Sequence, residues 1–247
     1  MKFKEYFGLA AITSFYNIIF PFRGGLIAKA AYLKTKHKFS ITHFIAMMVG
    51  VMIISILASS FLGIITLLLI YLQSGVFNAI VLILFILAFL VSLFIVIFSP
   101  KLRETKYNLA NKAIQVINGW HTIKNNRKIV IAVSIITLIQ IILSTAGIML
   151  SYRVFGIHLT IVKALFLTSV LPLTIILGIT PAGLGVNEAI GVFSGLVIGI
   201  APAQSLSAAV LGRIIGTIII FILGPIFSYL LIKHKPKKEV EKDKRIA

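Results

Sequence analysis

The sequence contains no cysteine, a single tryptophan and only six acidic residues among 247. Without cysteine it offers neither a disulfide nor thiol chemistry. The shortage of carboxylates argues against paired-acid catalysis, because a general acid and a general base each require an ionisable side chain. The five histidines lie apart in the chain and form no His-Glu-x-x-His pattern. We therefore expect a non-enzymatic protein with neither a bound metal nor a cofactor.

Apolar side chains are abundant, at 59% of residues against 12% charged, with a mean hydropathy of +1.08. A water-soluble core needs far less apolar surface. Four runs with at most one charge exceed the roughly 20 residues that cross a hydrocarbon layer of about 30 Å as a helix. The runs are residues 41–72, 76–99, 129–152 and 203–232. They predict an all-α fold, a polytopic transmembrane helical bundle that occupies residues 1–232 as a single domain.

The 24 lysines and arginines give a formal net charge of +18 and are unevenly placed. Most of them fall at the N-terminus, in residues 34–38, in residues 101–128 and after residue 232. Threading the four runs in order places these segments on one side of a membrane, which the positive-inside rule assigns to the cytoplasm. We therefore predict a multi-pass protein of the cell membrane with both termini cytoplasmic. We expect no nucleic-acid partner, for which a folded soluble module would be needed.

Two basic segments lie outside the apolar runs. Residues 100–128 interleave Ile114, Ile117 and Trp120 with lysines and asparagines. This composition is typical of an interfacial loop that lies along the membrane surface and attracts anionic lipid head groups. Residues 233–247 are charged, have no apolar period, and are predicted to form a basic, disordered cytoplasmic tail.

Two further apolar stretches are interrupted by proline and glycine, between residues 7–20 and 26–33 and between 164–180 and 187–200. Lipid cannot satisfy the backbone groups that a broken helix frees, so such breaks lie where protein or a water-filled cavity surrounds them. Paired interruptions indicate a binding site near the membrane midplane. Whether the broken elements are re-entrant or spanning stays open. The candidate binding residues at the breaks are Asn17, Pro21, Arg23, Gly24, Pro181, Gly183, Gly185, Asn187 and Glu188.

Two charges stand out at membrane depth. Glu188 is the only carboxylate within the predicted membrane segments, and Arg213 is the only charged residue of the run 203–232. A charge placed there requires a partner or a function. In one interpretation the two residues form an ion pair that merely fixes helix register. In the other, Arg23 and Arg213 line a polar cavity for an anionic head group, and Glu188 balances their charge.

Small residues recur at every fourth position in the last two apolar segments. They are Gly191, Gly195 and Gly199 in the first and Ala208, Gly212 and Gly216 in the second. A face of small residues lets neighbouring helix backbones approach closely. We therefore predict close helix packing along both faces.

The residues around the breaks also carry a resemblance. The run Thr180-Pro-Ala-Gly-Leu-Gly-Val-Asn-Glu188, followed by Leu211-Gly-Arg213, resembles the C-terminal signature of the lysylphosphatidylglycerol synthase transmembrane region family. Asn17, Pro21, Arg23 and Gly24 are similar to its N-terminal signature. The resemblance implies a flippase-like domain that handles lipid. It also implies a standalone member without the soluble aminoacyltransferase domain of the full-length synthases.

The expected function is accordingly that of an integral membrane flippase-like protein. It would bind or translocate an anionic or aminoacylated phospholipid, or a lipid-linked sugar, between leaflets. Two alternatives stay open. One is a small-solute or ion-coupled transporter, and the other is a non-catalytic scaffold that binds partner proteins of envelope biosynthesis.

Overall fold

The computed structural model describes residues 3–20, 23–98, 101–103, 108–177 and 180–233. In these ranges the chain forms nine α-helices and two short 3-10 helices, with no strand. The α-helices are α1 Phe3–Ile19, α2 Gly24–His37, α3 Ile41–Ser74, α4 Ala79–Ile97, α5 Asn108–Lys124, α6 Arg127–Arg153, α7 Ile161–Val170, α8 Val186–Val197 and α9 Pro202–Lys233. The 3-10 helices, Leu171–Leu177 and Pro181–Gly183, lie between α7 and α8. The predicted all-α fold is confirmed.

Four helices, α3, α4, α6 and α9, are long and apolar enough to cross a membrane. They coincide with the four predicted runs to within a few residues, because uninterrupted apolar length determines both. After α3 the chain turns at Gly75, whose φ of 68° lies in the left-handed region that glycine enters without steric cost. α4 then packs along α3, and the Phe85 ring lies so close to Gly63 that any larger residue there would overlap it.

The two ends of this bundle differ in charge. α1 and α3 begin, and α2, α4 and α9 end, at what we call the basic end. Exposed Lys4, Lys34, Lys38 and Lys128 lie there. α6 ends, and α7 and α9 begin, at the opposite end, which we call the far end.

α1 and α2 form a hairpin that starts and finishes at the basic end. Near the start of α1, Glu5 accepts hydrogen bonds from Tyr32 at 2.7 Å and from His37 at 2.8 Å, both near the end of α2. Lys36 lies 3.4 Å from the same carboxylate oxygen. The hydrogen bond from His37, followed by that from Tyr32 and the charge of Lys36, outweighs burial and lowers the pKa of the Glu5 carboxyl to about 2.

The turn of this hairpin is held by backbone contacts. The Asn17 side chain accepts a hydrogen bond from the Gly25 N–H at 2.9 Å. Gly25 lies directly against the Thr13 carbonyl, where a Cβ would overlap the oxygen. Arg23 precedes α2 in the left-handed region, with a φ of 57°. Because α1 and α2 return to the same end, the first broken element is re-entrant.

α7 and α8 form a second hairpin, which starts and finishes at the far end. α7 has 10 residues and is continued directly by the 3-10 helix Leu171–Leu177, whereas α8 has 12 residues and is about 18 Å long, too short to cross the hydrocarbon layer. Lys163 at the start of α7 donates a hydrogen bond to the Ile198 carbonyl just after α8, at 3.1 Å. Thr145 of α6 and Thr168 of α7 share a buried hydrogen bond of 3.0 Å. Because α7 begins and α8 ends at the far end, the second broken element is also re-entrant.

The interfacial basic loop predicted at residues 100–128 contains a helix, α5, that packs against α3. The Trp120 ring is 3% exposed and covers Gly50, where a Cβ would lie 2.9 Å from it. Lys124 donates hydrogen bonds to the carbonyls of Val96 and Ile97 at the end of α4, both at 3.2 Å. That this segment lies along the membrane surface stays a prediction. Its helix fits α3 because Gly50 leaves space for the indole, a fit between distant residues that composition does not reveal.

The two hairpins meet inside the bundle. α1 packs along α9, with Gly8 against Phe227 and Gly224 against Phe15. The end of α1 also contacts the 3-10 helix Pro181–Gly183 of the second hairpin. Pro21 and residues 234–247 of the predicted tail lie outside the described residues, and α9 continues through Lys233.

Candidate functional site

Small residues set the register between α8 and α9. A Cβ built on Gly191 would lie 3.8 Å from the Ala209 Cβ, and one built on Gly195 would overlap the Ser205 side chain. The helices run in opposite directions, so each step toward the start of α8 matches a step further along α9. Continuing this register by one turn places the start of α8 opposite Arg213.

Glu188 and Arg213 form an ion pair at this position. Glu188 Oε1 accepts from Arg213 Nε, and Glu188 Oε2 accepts from the Gly185 N–H at 2.8 Å. The carboxylate therefore also caps the first turn of α8, where the helix dipole favours negative charge. The side chains of Arg213 and Glu188 are 23% and 14% exposed, so the pair is largely buried but still partly accessible.

Arg213 also binds the backbone of the re-entrant tip, which we define as residues 180–185. Its Nη2 donates toward the carbonyls of Ala182 at 3.5 Å and Gly183 at 3.4 Å. These carbonyls point toward α9 because Ala182 and Gly183 both have positive φ values, 49° and 66°. The Asn187 side chain donates to the Ala182 carbonyl at 3.2 Å. The tip is thus held by side chains from α8 and α9, which supply the hydrogen bonds that lipid cannot.

A cavity of about 970 Å³ lies beside the ion pair. Its walls come from α6, α7, the tip, α8 and α9, with Ile18 of α1 reaching its edge. Most of the lining is apolar, and Glu188 and Arg213 are its only charged residues among the described part of the chain. A predominantly apolar cavity with a few convergent polar groups is the usual form of a small-molecule or lipid site.

Glycines keep this cavity open. A Cβ at Gly147 of α6 or at Gly216 of α9 would meet no atom within 4 Å, and one at Gly212 would lie 3.7 Å from the nearest atom, the Ser151 hydroxyl. The prediction of close packing therefore holds for Gly191 and Gly195 of α8 and for the buried Ala208 of α9. It does not hold for Gly199, which follows the end of α8, or for Gly216, where a Cβ would meet no atom within 4 Å.

The cavity is open toward the side of the bundle. Several apolar lining residues are largely exposed, including Leu150 at 63%, Val154 at 68% and Leu184 at 63%. Leu150 lies in the last turn of α6, Val154 directly follows α6, and Leu184 lies on the tip. Apolar side chains that are exposed within the hydrocarbon layer face acyl chains.

Only some of the predicted binding residues line the cavity. Pro181, Asn187, Glu188 and Arg213 line the cavity. Gly183 and Gly185 shape the tip beside it, with φ values of 66° and 82°. Asn17, Arg23 and Gly24 shape the turn of the first hairpin and do not line the cavity, and Pro21 is outside the described residues.

Sequence reasoning missed four cavity serines from three different helices, Ser144, Ser151, Ser194 and Ser205. No pattern marks them, since serine is frequent in membrane helices and most serines bond their own helix backbone. Only the packing of α6, α8 and α9 brings them to one cavity.

Four helices long and apolar enough to cross a membrane, together with two re-entrant hairpins from opposite ends, define a polytopic helical membrane protein. Residues 1–224 match the family described as the lysylphosphatidylglycerol synthase TM region, and the chain belongs to that family. The resemblance seen at the two signatures is thereby confirmed. No curated protein and no solved structure matches the chain.

Proposed function

We propose that the protein binds a phospholipid or lipid-linked sugar in the cavity and moves its head group between leaflets. The observation that carries this proposal is the coincidence of a lateral apolar opening with a single cation, Arg213, inside the same cavity. A lipid requires both features, because its acyl chains stay in the bilayer while its phosphate needs a positive partner.

Arg213 retains hydrogen-bonding capacity for such a phosphate. Its Nε is engaged by Glu188 and its Nη2 by the tip carbonyls, while Nη1 has no partner among the described residues. Guanidinium groups bind phosphate oxygens through charge-assisted hydrogen bonds. Glu188 would hold the charge balanced when no anion is bound and would keep the guanidinium oriented toward the cavity.

The basic end supports a second contact with lipid. Exposed Lys4, Lys34, Lys38, Arg103 and Lys128 lie there. Glu5 is the only carboxylate in the described part of this end, and it is already paired. We propose that this surface lies against anionic head groups of the cytoplasmic leaflet of the cell membrane, with both termini on that side.

The proposal is tested with purified protein in vesicles that contain phospholipids carrying a fluorophore on one acyl chain. Dithionite added outside quenches only the outer leaflet, so further quenching measures exchange. We expect exchange faster than in protein-free vesicles, and a loss of about tenfold or more for Arg213→Ala. Arg153→Ala is the matched control, because Arg153 is exposed at the end of α6 and does not line the cavity.

Two results would contradict the proposal. One is exchange no faster than in protein-free vesicles for every anionic, aminoacylated or glycosylated lipid tried. The other is an equal loss in both arginine variants. Gradient-dependent uptake of a soluble solute would favour the small-solute transporter, and co-purification with envelope-biosynthesis proteins without any exchange would favour the scaffold.

A further inference from the structure

Lys29 lies in the middle of α2, the second helix of the first hairpin, and the proposed function does not use it. Gly25, Lys29 and Tyr32 follow one another at intervals of four and three residues, so they share one face of α2. That face packs on α1, where Gly25 meets Thr13 and Tyr32 meets Glu5. Lys29 therefore lies between these two contacts, and it is partly buried there.

α1 offers this cation no carboxylate. Between residues 6 and 12 of α1 the only polar side chain is that of Tyr6, which is 59% exposed. Glu5, the one acid of α1, is already engaged by side chains near the end of α2. Lys29 forms neither a hydrogen bond nor an ion pair with any residue that the structure describes. Its charge is thus left without a partner inside the hairpin.

The position of Lys29 along α2 indicates which anion could supply that partner. It lies eight residues before His37, the last residue of α2, which is about 12 Å along the helix axis from the basic end. Ile27, on the other side of α2, is 68% exposed, as expected for a helix bordered by acyl chains. A lysine at such a depth extends its long stem toward the head groups of the nearer leaflet. The phosphates of that leaflet are therefore the anions closest to its ammonium group.

We infer that Lys29 binds the phosphate of an anionic phospholipid from the leaflet at the basic end and holds that lipid beside the first hairpin. An unpaired charge at membrane depth is costly, and a phosphate would compensate it through a charge-assisted hydrogen bond. Lys29 does not line the cavity, so this lipid is distinct from any lipid that the cavity would move. It would be a fixed component that stabilises the hairpin, and the inference does not depend on the proposed function.

The test compares thermal midpoints of the full-length protein in detergent micelles. The additives are phosphatidylglycerol, phosphatidylcholine with the same acyl chains, and inorganic phosphate. We expect phosphatidylglycerol to raise the midpoint of the wild type by roughly 2–4 °C more than either of the others. Lys29→Met keeps a long stem without the charge and should lose most of this rise, whereas Lys29→Arg should keep it. Without added lipid, Lys29→Met should unfold at an equal or higher temperature than the wild type, because no unpaired cation is then buried.

Lys101→Met is the matched control, because Lys101 is an exposed cation between α4 and α5 at the basic end and its loss lowers the net charge equally. It should keep the rise, and equal losses in the two methionine variants would reduce the effect to diffuse surface charge. Loss of the whole rise in Arg213→Ala would instead assign the lipid to the cavity. An equal rise with inorganic phosphate would assign the site to a soluble ion.

Each of these three results would overturn the inference. The absence of any rise in the wild type would do the same. A Lys29→Met variant that unfolds at a lower temperature than the wild type without lipid would mean that Lys29 already has a partner within the protein, which would also contradict it.

Discussion

Glu188 and Arg213 face each other because glycines of α8 pack against small residues of α9 one and two turns away. The ion pair therefore continues a helix register that the small residues also define. This relationship allows the structural and functional contributions of the two charges to be separated.

We expect Glu188→Gln and Arg213→Gln to destabilise the protein by about 1–3 kcal/mol each, because each leaves a shielded charge without its partner. The double variant should recover most of that stability, since no charge is then left unpaired. Thermal unfolding in detergent, followed by size-exclusion chromatography after heating, measures this. Lipid exchange should stay lost in the double variant, and its full recovery would show that the pair only fixes register.

Gly216→Leu should fill the cavity without disturbing the fold. The Cβ has free space, and replacing glycine within a helix stabilises it by up to about 1 kcal/mol. We therefore expect unchanged or higher thermal stability together with slower lipid exchange. Gly216→Ala is the graded control and should keep most of the exchange activity. A Gly216→Leu variant that exchanges lipid at the normal rate would mean that lipid does not pass this part of the cavity.

Gly25→Ala should open the first hairpin. Its Cβ would overlap the Thr13 carbonyl, and backbone cannot move aside as a flexible side chain can. We expect a loss of about 1–3 kcal/mol in the free energy of unfolding, typical of overpacking. Gly216→Ala is the control, because it makes the same change in helix propensity without a steric overlap. Equal stability of the two variants would contradict the close contact between Gly25 and the Thr13 carbonyl.

The Glu5 cluster should make stability depend on pH. The pKa of Glu5 is lowered to about 2 in the folded protein, from the ordinary value of 4.5. Its contribution is therefore fully present above pH 4.5 and is lost as the pH falls toward 2. At pH 6 the thermal midpoints of the wild type and Glu5→Gln should differ, by about 2–4 °C for each kcal/mol that Glu5 contributes to the free energy of unfolding. The two midpoints should converge in acid. A difference that stays constant down to pH 2.5 would exclude this role.

The sequence was sufficient for the four spans, because length and apolarity alone decide whether a helix can cross a bilayer. It also located both breaks, since proline and glycine mark them directly. It left open whether the broken elements were re-entrant, because crossing parity permits both arrangements. The contacts between Glu5 and His37 and between Lys163 and Ile198 decide it, and they join residues 32 and 35 positions apart.

The candidate site was only partly predictable for a similar reason. Glu188 and Arg213 were conspicuous as isolated charges, whereas Ser205 was one serine among many. The open space beside Gly216 depends on how the helices around the cavity pack, and no local pattern encodes that packing. Short-range sequence signals therefore identified the ionic part of the cavity and missed its hydroxyl groups.

The length of α3 has a consequence for how the protein sits in its membrane. Its 34 residues extend about 51 Å, whereas its partner α4 has 19 residues and extends about 29 Å, close to the hydrocarbon thickness. α5 covers α3 at Gly50, level with the last turn of α4. The first nine residues of α3 therefore project about 13 Å past that boundary. The rest of the excess length, about 9 Å, lies at the other end, so α3 extends past α4 at both ends and further at the basic end.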